Sequence, residues 1–153
     1  MLNQLSPGYL EAIKREHRTI GEKTHQLETM LREAVTRGWP TGLVRDLATR
    51  LRDLEQTLQQ HFVREEEGGF LDEAVCTAPQ YAAETSRLMH EHTEILARIR
   101  EMITKATDKL TVDPSQSYPF AKSLESTLRQ LLMHETRENA LLKKAFNLDS
   151  DAI

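Results

Sequence analysis

The 153-residue sequence predicts an all-α protein, an up-down-up-down four-helix bundle in a single domain that spans residues 1–153. The first indication is composition, because Leu, Glu, Arg and Thr are frequent and β-branched residues rarely cluster. The second is periodicity: four long segments carry apolar residues at the three- and four-residue spacings of an amphipathic helix. The third is the placement of glycine and proline, which interrupt helices and here separate these segments.

The first half of the chain predicts two helices, over residues 7–37 and 41–67. Ser6 is a suitable N-cap and Pro7 suits the first helical position, so the first helix is expected to begin there. A Gly-Trp-Pro sequence then interrupts the pattern, and two consecutive glycines follow the second helix. We expect these helices to form a tight hairpin.

The second half predicts a similar hairpin. Its helices are expected over residues 79–107 and 119–146, after a short helical turn at 70–76. The loop between them is the longest in the chain. EHRTIGEK at 16–23 resembles EHTEILAR at 91–98, which indicates a weak duplication of a helical hairpin.

Six side chains that can bind a metal lie on the apolar stripes of these helices. Two stripes each carry a His-x-x-x-Glu pair, and the pairs begin 73 residues apart. A helix has about 3.6 residues per turn, so a Glu four residues after a His points the same way, one turn along. The other two stripes each carry one histidine. The six candidate ligands are His17, His61, Glu65, His92, His134 and Glu138.

The composition of this set indicates the kind of metal centre. Imidazole and carboxylate ligands suit iron, manganese or zinc. Four His and two Glu exceed the needs of one tetrahedral zinc ion, so a two-metal centre fits the set better. Without a cation the same side chains would form a poor core, because a buried, unpaired carboxylate is costly.

The positions of the histidines along the chain also agree with one centre. The two histidines of the first hairpin are each 22 residues from Trp39, and those of the second are each 21 residues from Asp113. Residues equidistant from the turn of an antiparallel hairpin lie at equal height. We therefore expect all four histidines at one level of the bundle.

Other polar residues are expected to lie outside this centre. His90 also has a Glu four residues later, but it lies off the apolar stripe, so we interpret that pair as a surface contact. His25 is too far along its helix to reach the other ligands. We expect Glu66 and Glu67 either to contact a metal ligand from outside the centre or to face solvent. Glu66 could replace Glu65 as the metal ligand.

Composition argues against several classes of function. Twenty basic and 24 acidic residues provide neither a basic stripe for nucleic acid nor a polybasic membrane anchor. The sequence has no run of about 18 apolar residues and does not begin like a secretory signal, so a cytoplasmic location is expected. The single cysteine, Cys76, cannot form an internal disulfide, and we expect it to pack as a small apolar residue.

At the six candidate ligands the chain resembles the hemerythrin-like, or HHE cation-binding, family. The order H, HxxxE, H, HxxxE spans nearly the whole sequence, and HFVREEE, MHEHTEIL and HETRENALL resemble the second, third and fourth helices of that family. The resemblance implies two non-haem iron ions with a bridging oxo or hydroxo group. It also implies terminal histidines and bridging carboxylates from Glu65 and Glu138. Zinc or manganese could occupy the same ligands.

The chain departs from the oxygen-carrying hemerythrins in two places. Their third helix offers two histidines one turn apart, whereas the positions one turn from His92 are Leu88 and Leu96. Their fourth helix carries HxxxxD, whereas His134 is followed by a Glu at the fourth position and by Asn139 at the fifth. These departures separate the chain from the oxygen carriers.

The ligand set suggests what the centre does. Two histidines, both bridging carboxylates and one solvent-derived bridge would leave an open position on octahedral iron. We therefore expect a protein, monomeric or homodimeric, that binds, senses or scavenges dioxygen, nitric oxide or peroxide. The alternatives are a di-iron enzyme for peroxide or nitric oxide detoxification or iron–sulfur repair, and a purely structural metal site. Binding is favoured because no general acid or substrate pocket is identifiable.

Overall fold

The computed structural model describes residues 6–108, 110, 113–149 and 151–153. Within these residues the protein is helical and has no β-strand, so the predicted all-α class is confirmed. None of the described helices is long and apolar enough to cross a membrane. Short 3₁₀ turns at Pro79–Tyr81 and Pro114–Gln116 precede the last two α-helices. The five α-helices are α1 (Pro7–Arg37), α2 (Thr41–Glu67), α3 (Phe70–Thr77), α4 (Ala82–Asp108) and α5 (Ser117–Ala145).

The local sequence explains where α1 begins and ends. The Ser6 hydroxyl accepts a hydrogen bond from the backbone N–H of Tyr9 at 3.2 Å, and Pro7 occupies the first helical position, where no N–H is needed. At the other end Gly38 has a φ of 96°, in a region that favours glycine. Its N–H donates to the carbonyl of Ala34 at 2.8 Å. The helix therefore stops at Arg37 and the chain turns into α2.

The four long helices surround a common apolar core. Helix α1 contacts α2 and α5, and α4 contacts the same two helices, so each long helix has two neighbours. Burying one leucine or isoleucine side chain contributes about 1.5–3 kcal/mol, which makes these stripes the main source of stability. The fully buried core residues include Leu27, Leu51, Leu54, Ile99, Leu124 and Leu128.

The short helix α3 covers one end of this bundle. Gly69 has a φ of 74°, which allows the sharp change of direction after α2. Phe70 and Leu71 then pack with Ile13 of α1 and Leu142 of α5 in a second, smaller apolar cluster. Together with the larger core, this cluster forms an apolar layer on either side of the candidate ligands.

The exposed position of Cys76 contradicts the prediction that it packs as an apolar residue. The buried residues of α3 are Phe70, Leu71 and Ala74. Position 76 lies about 200° around the helix from Ala74, so its side chain points away from the bundle.

Candidate metal centre

One histidine from each long helix reaches the interior between the two apolar clusters. The His17 and His61 rings have their centroids 4.9 Å apart, and the His92 and His134 rings are separated by the same distance. Three of the rings are almost fully buried, and His17 exposes 11% of its side chain. The spacing along the chain predicted all four histidines at one level, and the structure brings the two rings of each hairpin side by side.

Each His-x-x-x-Glu pair brings a nitrogen and a carboxylate together one helical turn apart. Nε2 of His61 lies 2.8 Å from Oε1 of Glu65, and Nε2 of His134 lies 3.3 Å from Oε2 of Glu138. Both glutamates are buried, because they continue the leucine stripes of α2 and α5. The helical periodicity therefore carries two carboxylates into the core.

The two carboxylates lie between the histidine pairs. Glu138 has its Oε1 3.5 Å from Nε2 of His17 and its Oε2 3.3 Å from Nε2 of His134. Glu65 likewise has its Oε1 2.8 Å from Nε2 of His61 and its Oε2 3.4 Å from Nε2 of His92. Each carboxylate thus presents one oxygen to each pair of histidines.

These contacts define two places where a metal ion could be held. The first metal position is bounded by His17, His61, Glu65 and Glu138, whose ligand atoms lie within 4.8 Å of one another. The second metal position is bounded by His92, His134 and Glu138, under the same limit. Glu138 belongs to both positions.

The donor atoms fit metal ions in their spacing and in their lack of other partners. Two atoms bound about 2.1 Å from one ion lie about 3.0 Å apart in adjacent positions and about 4.2 Å apart in opposite ones. The nitrogen–oxygen distances within the centre run from 2.8 to 3.8 Å. Within the described residues, no hydrogen bond of normal geometry satisfies Nε2 of any of the four histidines or either carboxylate. Buried polar atoms without a hydrogen-bond partner destabilise the folded protein, and a bound cation would interact with all of these atoms at once.

Carboxylates outside the centre orient three of the rings. Nδ1 of His61 lies 2.7 Å from Glu16, and Nδ1 of His134 lies 2.9 Å from Glu91. Nδ1 of His92 contacts Glu66 at 2.9 Å. A carboxylate that accepts from Nδ1–H leaves the Nε2 lone pair free to bind a metal, as is usual for metal-ligating histidines.

Arginines hold two of these outer carboxylates. Arg137 donates to both oxygens of Glu91, at 2.7 and 2.9 Å, and Arg64 pairs with Glu16. Sequence reasoning missed Glu16 and Glu91. A signal was available, since each directly precedes a histidine in the two similar EH segments, but each contacts the histidine of the following long helix.

A further carboxylate, Glu135, was also missed. It follows His134 in the sequence, and its Oε2 lies 3.2 Å from Nε2 of His17. Its Oε1 lies 4.0 Å from Nε2 of His61. No sequence signal marked it, because the residue after a core histidine usually lies at the edge of the buried stripe.

Comparison with known protein families agrees with this geometry. The family model described as the hemerythrin HHE cation binding domain matches residues 9–147. The chain belongs to the hemerythrin HHE cation-binding family. The match includes all six candidate ligands and the outer carboxylates of the centre. Comparison with curated proteins and with solved structures gave no significant match.

Buried carboxylates of this hemerythrin-like domain raise the pKa values of the two histidines at its first metal position. Burial lowers the pKa of His17, but close contacts with Glu138 and Glu65 outweigh it and raise the pKa to about 10. Burial also lowers the pKa of His61, and the contact with Glu65 and its charge raise the pKa to about 9. Protons on the two rings therefore supply positive charge when no cation is bound.

The pKa values of the two candidate bridging carboxyls, Glu65 and Glu138, shift in opposite directions. Burial and the charge of Glu138 raise the pKa of Glu65 to about 7, against the lowering effect of His17 and His61. Burial also raises the pKa of Glu138, but contacts with His134 and His17 outweigh this effect and hold the pKa of that carboxyl well below its usual range. At neutral pH, Glu138 is thus the carboxylate that stays charged between the histidine pairs.

Tyr9 places a proton donor near the centre. Its hydroxyl is buried and has no hydrogen-bond partner among the described residues. Burial and the charges of Glu65 and Glu138 raise its pKa to about 12, so the hydroxyl stays protonated at neutral pH. It can donate a hydrogen bond and cannot act as a base.

The other polar candidates lie outside the centre. His90 and Glu94 are 3.5 Å apart, with 77% and 51% of their side chains exposed, which agrees with a surface contact. His25 is exposed beside Glu28. Glu66 contacts the outer nitrogen of His92 and does not replace Glu65.

Proposed function

We propose that this hemerythrin-like domain, a single domain over residues 1–153, holds two non-haem iron ions with a solvent-derived bridge. We further propose that it binds dioxygen, nitric oxide or peroxide at an open iron position. The observation that carries the proposal is the placement of Glu65 and Glu138 between two pairs of histidines. The proposed ligands are His17, His61, Glu65, His92, His134 and Glu138.

Two ions are favoured by the donor count. One ion takes at most about six ligands of this type, and the centre offers four nitrogens and four carboxylate oxygens before solvent is counted. These donors divide into two groups that share Glu138. Mixed nitrogen and oxygen donors suit iron, and zinc or manganese remain chemically compatible with them.

We also propose the up-down-up-down topology for the four long helices. Between α1 and α2, Glu16 contacts His61 and Gln26 contacts Arg50. A residue later in α1 therefore contacts a residue earlier in α2. The same order relates α2 to α4, through Glu66–His92 and Glu55–Arg100. It relates α4 to α5 through Glu91–His134 and Arg98–Gln130. This order is expected of antiparallel neighbours.

The surroundings of the centre favour a small ligand. Apolar clusters lie on both sides of it along the bundle axis. A cleft of about 230 Å³ between α1 and α2 is lined by Glu16, His61 and Arg64, so the outer face of one candidate ligand borders a surface opening. The cleft lies on the Nδ1 side of that ring, where Glu16 contacts it, and not on the Nε2 side that faces the metal positions. Enclosure by the two apolar clusters favours a ligand as small as a diatomic molecule or peroxide.

Iron held at these positions would supply an open coordination position and a redox couple. The residues of the chain supply the rest. Glu16, Glu66 and Glu91 orient the histidines, the leucine layers limit water, and the Tyr9 hydroxyl offers a proton to hydrogen-bond with a bound anion. The same hydrogen-bond donor favours the alternative function, an enzyme for peroxide or nitric oxide, because it would hold the bound species in place, while the protons for turnover would come from solvent.

The first experiment is to count metals and test for a small ligand. The protein would be purified from iron-supplemented cells, and its metals counted while the near-ultraviolet and visible spectrum is recorded with and without azide. About two irons per chain and a spectrum that changes with azide would support an accessible di-iron centre. Zinc, or one metal per chain, would refute the redox function, and a spectrum unresponsive to azide would indicate a structural site.

Turnover separates the two candidate functions. Iron-loaded protein would be mixed with hydrogen peroxide or nitric oxide and a reductant, and consumption would be followed over many equivalents. Consumption limited to about one equivalent per centre would support binding. Repeated turnover would favour the enzyme. A cytoplasmic location and a monomeric or dimeric state stay predictions.

A further inference from the structure

Glu135 is a buried carboxylate of the centre that the six proposed ligands leave out. It follows His134 on α5 and lies about 100° further around that helix. Its carboxylate lies 3.2 Å from Nε2 of His17 and 4.0 Å from Nε2 of His61. Among the described residues it makes no comparable contact with His92 or His134. Glu135 therefore faces the first metal position and not the second.

The nitrogen that Glu135 faces distinguishes it from the orienting carboxylates. Glu16, Glu66 and Glu91 contact Nδ1 atoms, on the outer side of the rings. Glu135 contacts Nε2 atoms, the side on which Glu65 and Glu138 lie. It lies on the side of the rings that faces the metal, outside the four residues whose ligand atoms lie within 4.8 Å of one another.

In the metal-free protein the charge of Glu135 is paired with the histidines of the first metal position, chiefly His17. Only 9% of the residue is exposed, and both carboxylate oxygens are buried without a hydrogen bond in the described part of the chain. Glu16 and Glu91 have Arg64 and Arg137 beside them, whereas Glu135 is near no arginine or lysine that the structure describes. A buried carboxylate is costly unless a cation lies next to it, and in the loaded protein a metal ion at the first position would be that cation.

The corresponding residue of the other hairpin is apolar. Phe62 follows His61 as Glu135 follows His134, so the two occupy equivalent places beside the two His-x-x-x-Glu pairs. The Phe62 ring stacks on His92 with centroids 3.9 Å apart and planes 7° apart, and its centroid lies 5.7 Å from that of His134. One end of the centre thus has a carboxylate where the other end has an aromatic ring.

Building on the proposed di-iron function, we propose that Glu135 is a third carboxylate ligand, at the first metal position only. With two histidines, two shared carboxylates, a shared solvent bridge and Glu135, the first position has six donors. The second position has the same set without Glu135, and thus five. The exogenous small ligand therefore binds at the second position, beside His92, His134 and Phe62.

The test compares iron-loaded wild type with Glu135→Ala and Glu135→Gln. Glu94→Ala serves as the control, since it removes an exposed glutamate outside the centre. Iron per chain, the number of azide ions bound and the Mössbauer spectrum would be measured for each protein. Glu135→Gln keeps the shape of the side chain, so it covers the case in which Glu135→Ala does not fold.

For wild type and the control we expect two irons, two unequal Mössbauer doublets and one azide per chain. Glu135→Ala is expected to keep both irons, to shift one doublet, and to raise bound azide from one to two per chain. Glu135→Gln is expected to shift the same doublet. Variants with the doublets and azide count of the wild type would overturn the role of Glu135 alone. A wild type without two irons would overturn the proposed function as well.

Discussion

Oε2 of Glu91 lies 2.9 Å from Nδ1 of His134, and Arg137, three residues after that histidine on α5, holds both oxygens of the same carboxylate. The glutamate comes from α4 and the other two residues from α5. The ring that faces the second metal position is thus oriented by a contact between two helices.

We expect Glu91→Gln to weaken metal binding at the second position by about 10- to 100-fold, the usual effect of removing a group that orients a metal-ligating histidine. A competition titration with a chromophoric chelator would measure it. Glu94→Gln, on the exposed side of α4, is the matched control. Equal affinities in the two variants would contradict an orienting role for Glu91.

Replacing the first His-x-x-x-Glu pair should remove bound iron. His61→Ala and Glu65→Ala each delete a buried donor, so bound iron is expected to fall clearly below two per chain. The chain contains its own control: His90 and Glu94 have the same spacing on α4 but are exposed. The double variant His90→Ala, Glu94→Ala should keep the wild-type iron content. Two irons per chain after the loss of His61 would refute its assignment.

Metal binding should release protons from the first position. The pKa values of His17 and His61 are about 10 and about 9 without metal, so both rings are protonated at pH 7. Each must lose its proton to bind a metal through Nε2, and affinity then rises about tenfold per pH unit for each proton released. We expect the affinity for Zn²⁺ at this position to rise about 100-fold per pH unit between pH 7 and 8, and more steeply below pH 7, where Glu65, with a pKa of about 7, must also lose a proton. A titration in weak buffer with a pH indicator would count the protons, and zero release would contradict the prediction.

The same histidines should make the stability of the metal-free protein depend on pH. Their pKa values are raised in the folded state, so the stability they contribute is fully present below pH 6.5 and is lost as pH rises through about 9 and 10. Urea unfolding of metal-free protein at pH 6.5 and pH 10 should therefore show a lower free energy of unfolding at the higher pH. Metal-loaded protein, with the protons replaced by a cation, should show a smaller decrease. A metal-free protein that gained stability over this range would disprove the assignment.

The helices could be predicted because their signals are local. Periodic leucines, the Ser6 cap and the Gly38 and Gly69 turns act within a few residues, and the helices of the structure begin and end near these signals. The histidines of each hairpin were expected at one level, and their rings lie 4.9 Å apart in both hairpins. That they bind metal stays a prediction.

The sequence by itself determined the all-helical class, the apolar stripes and the placement of two His-x-x-x-Glu pairs on buried faces, since each follows from the 3.6-residue helical repeat. Only the tertiary structure decided which polar residues at the edges of the stripes belong to the centre. Glu16, Glu91 and Glu135 reach histidines on other helices. Those contacts depend on the rotation and relative height of neighbouring helices, which side-chain packing sets and local spacing does not encode.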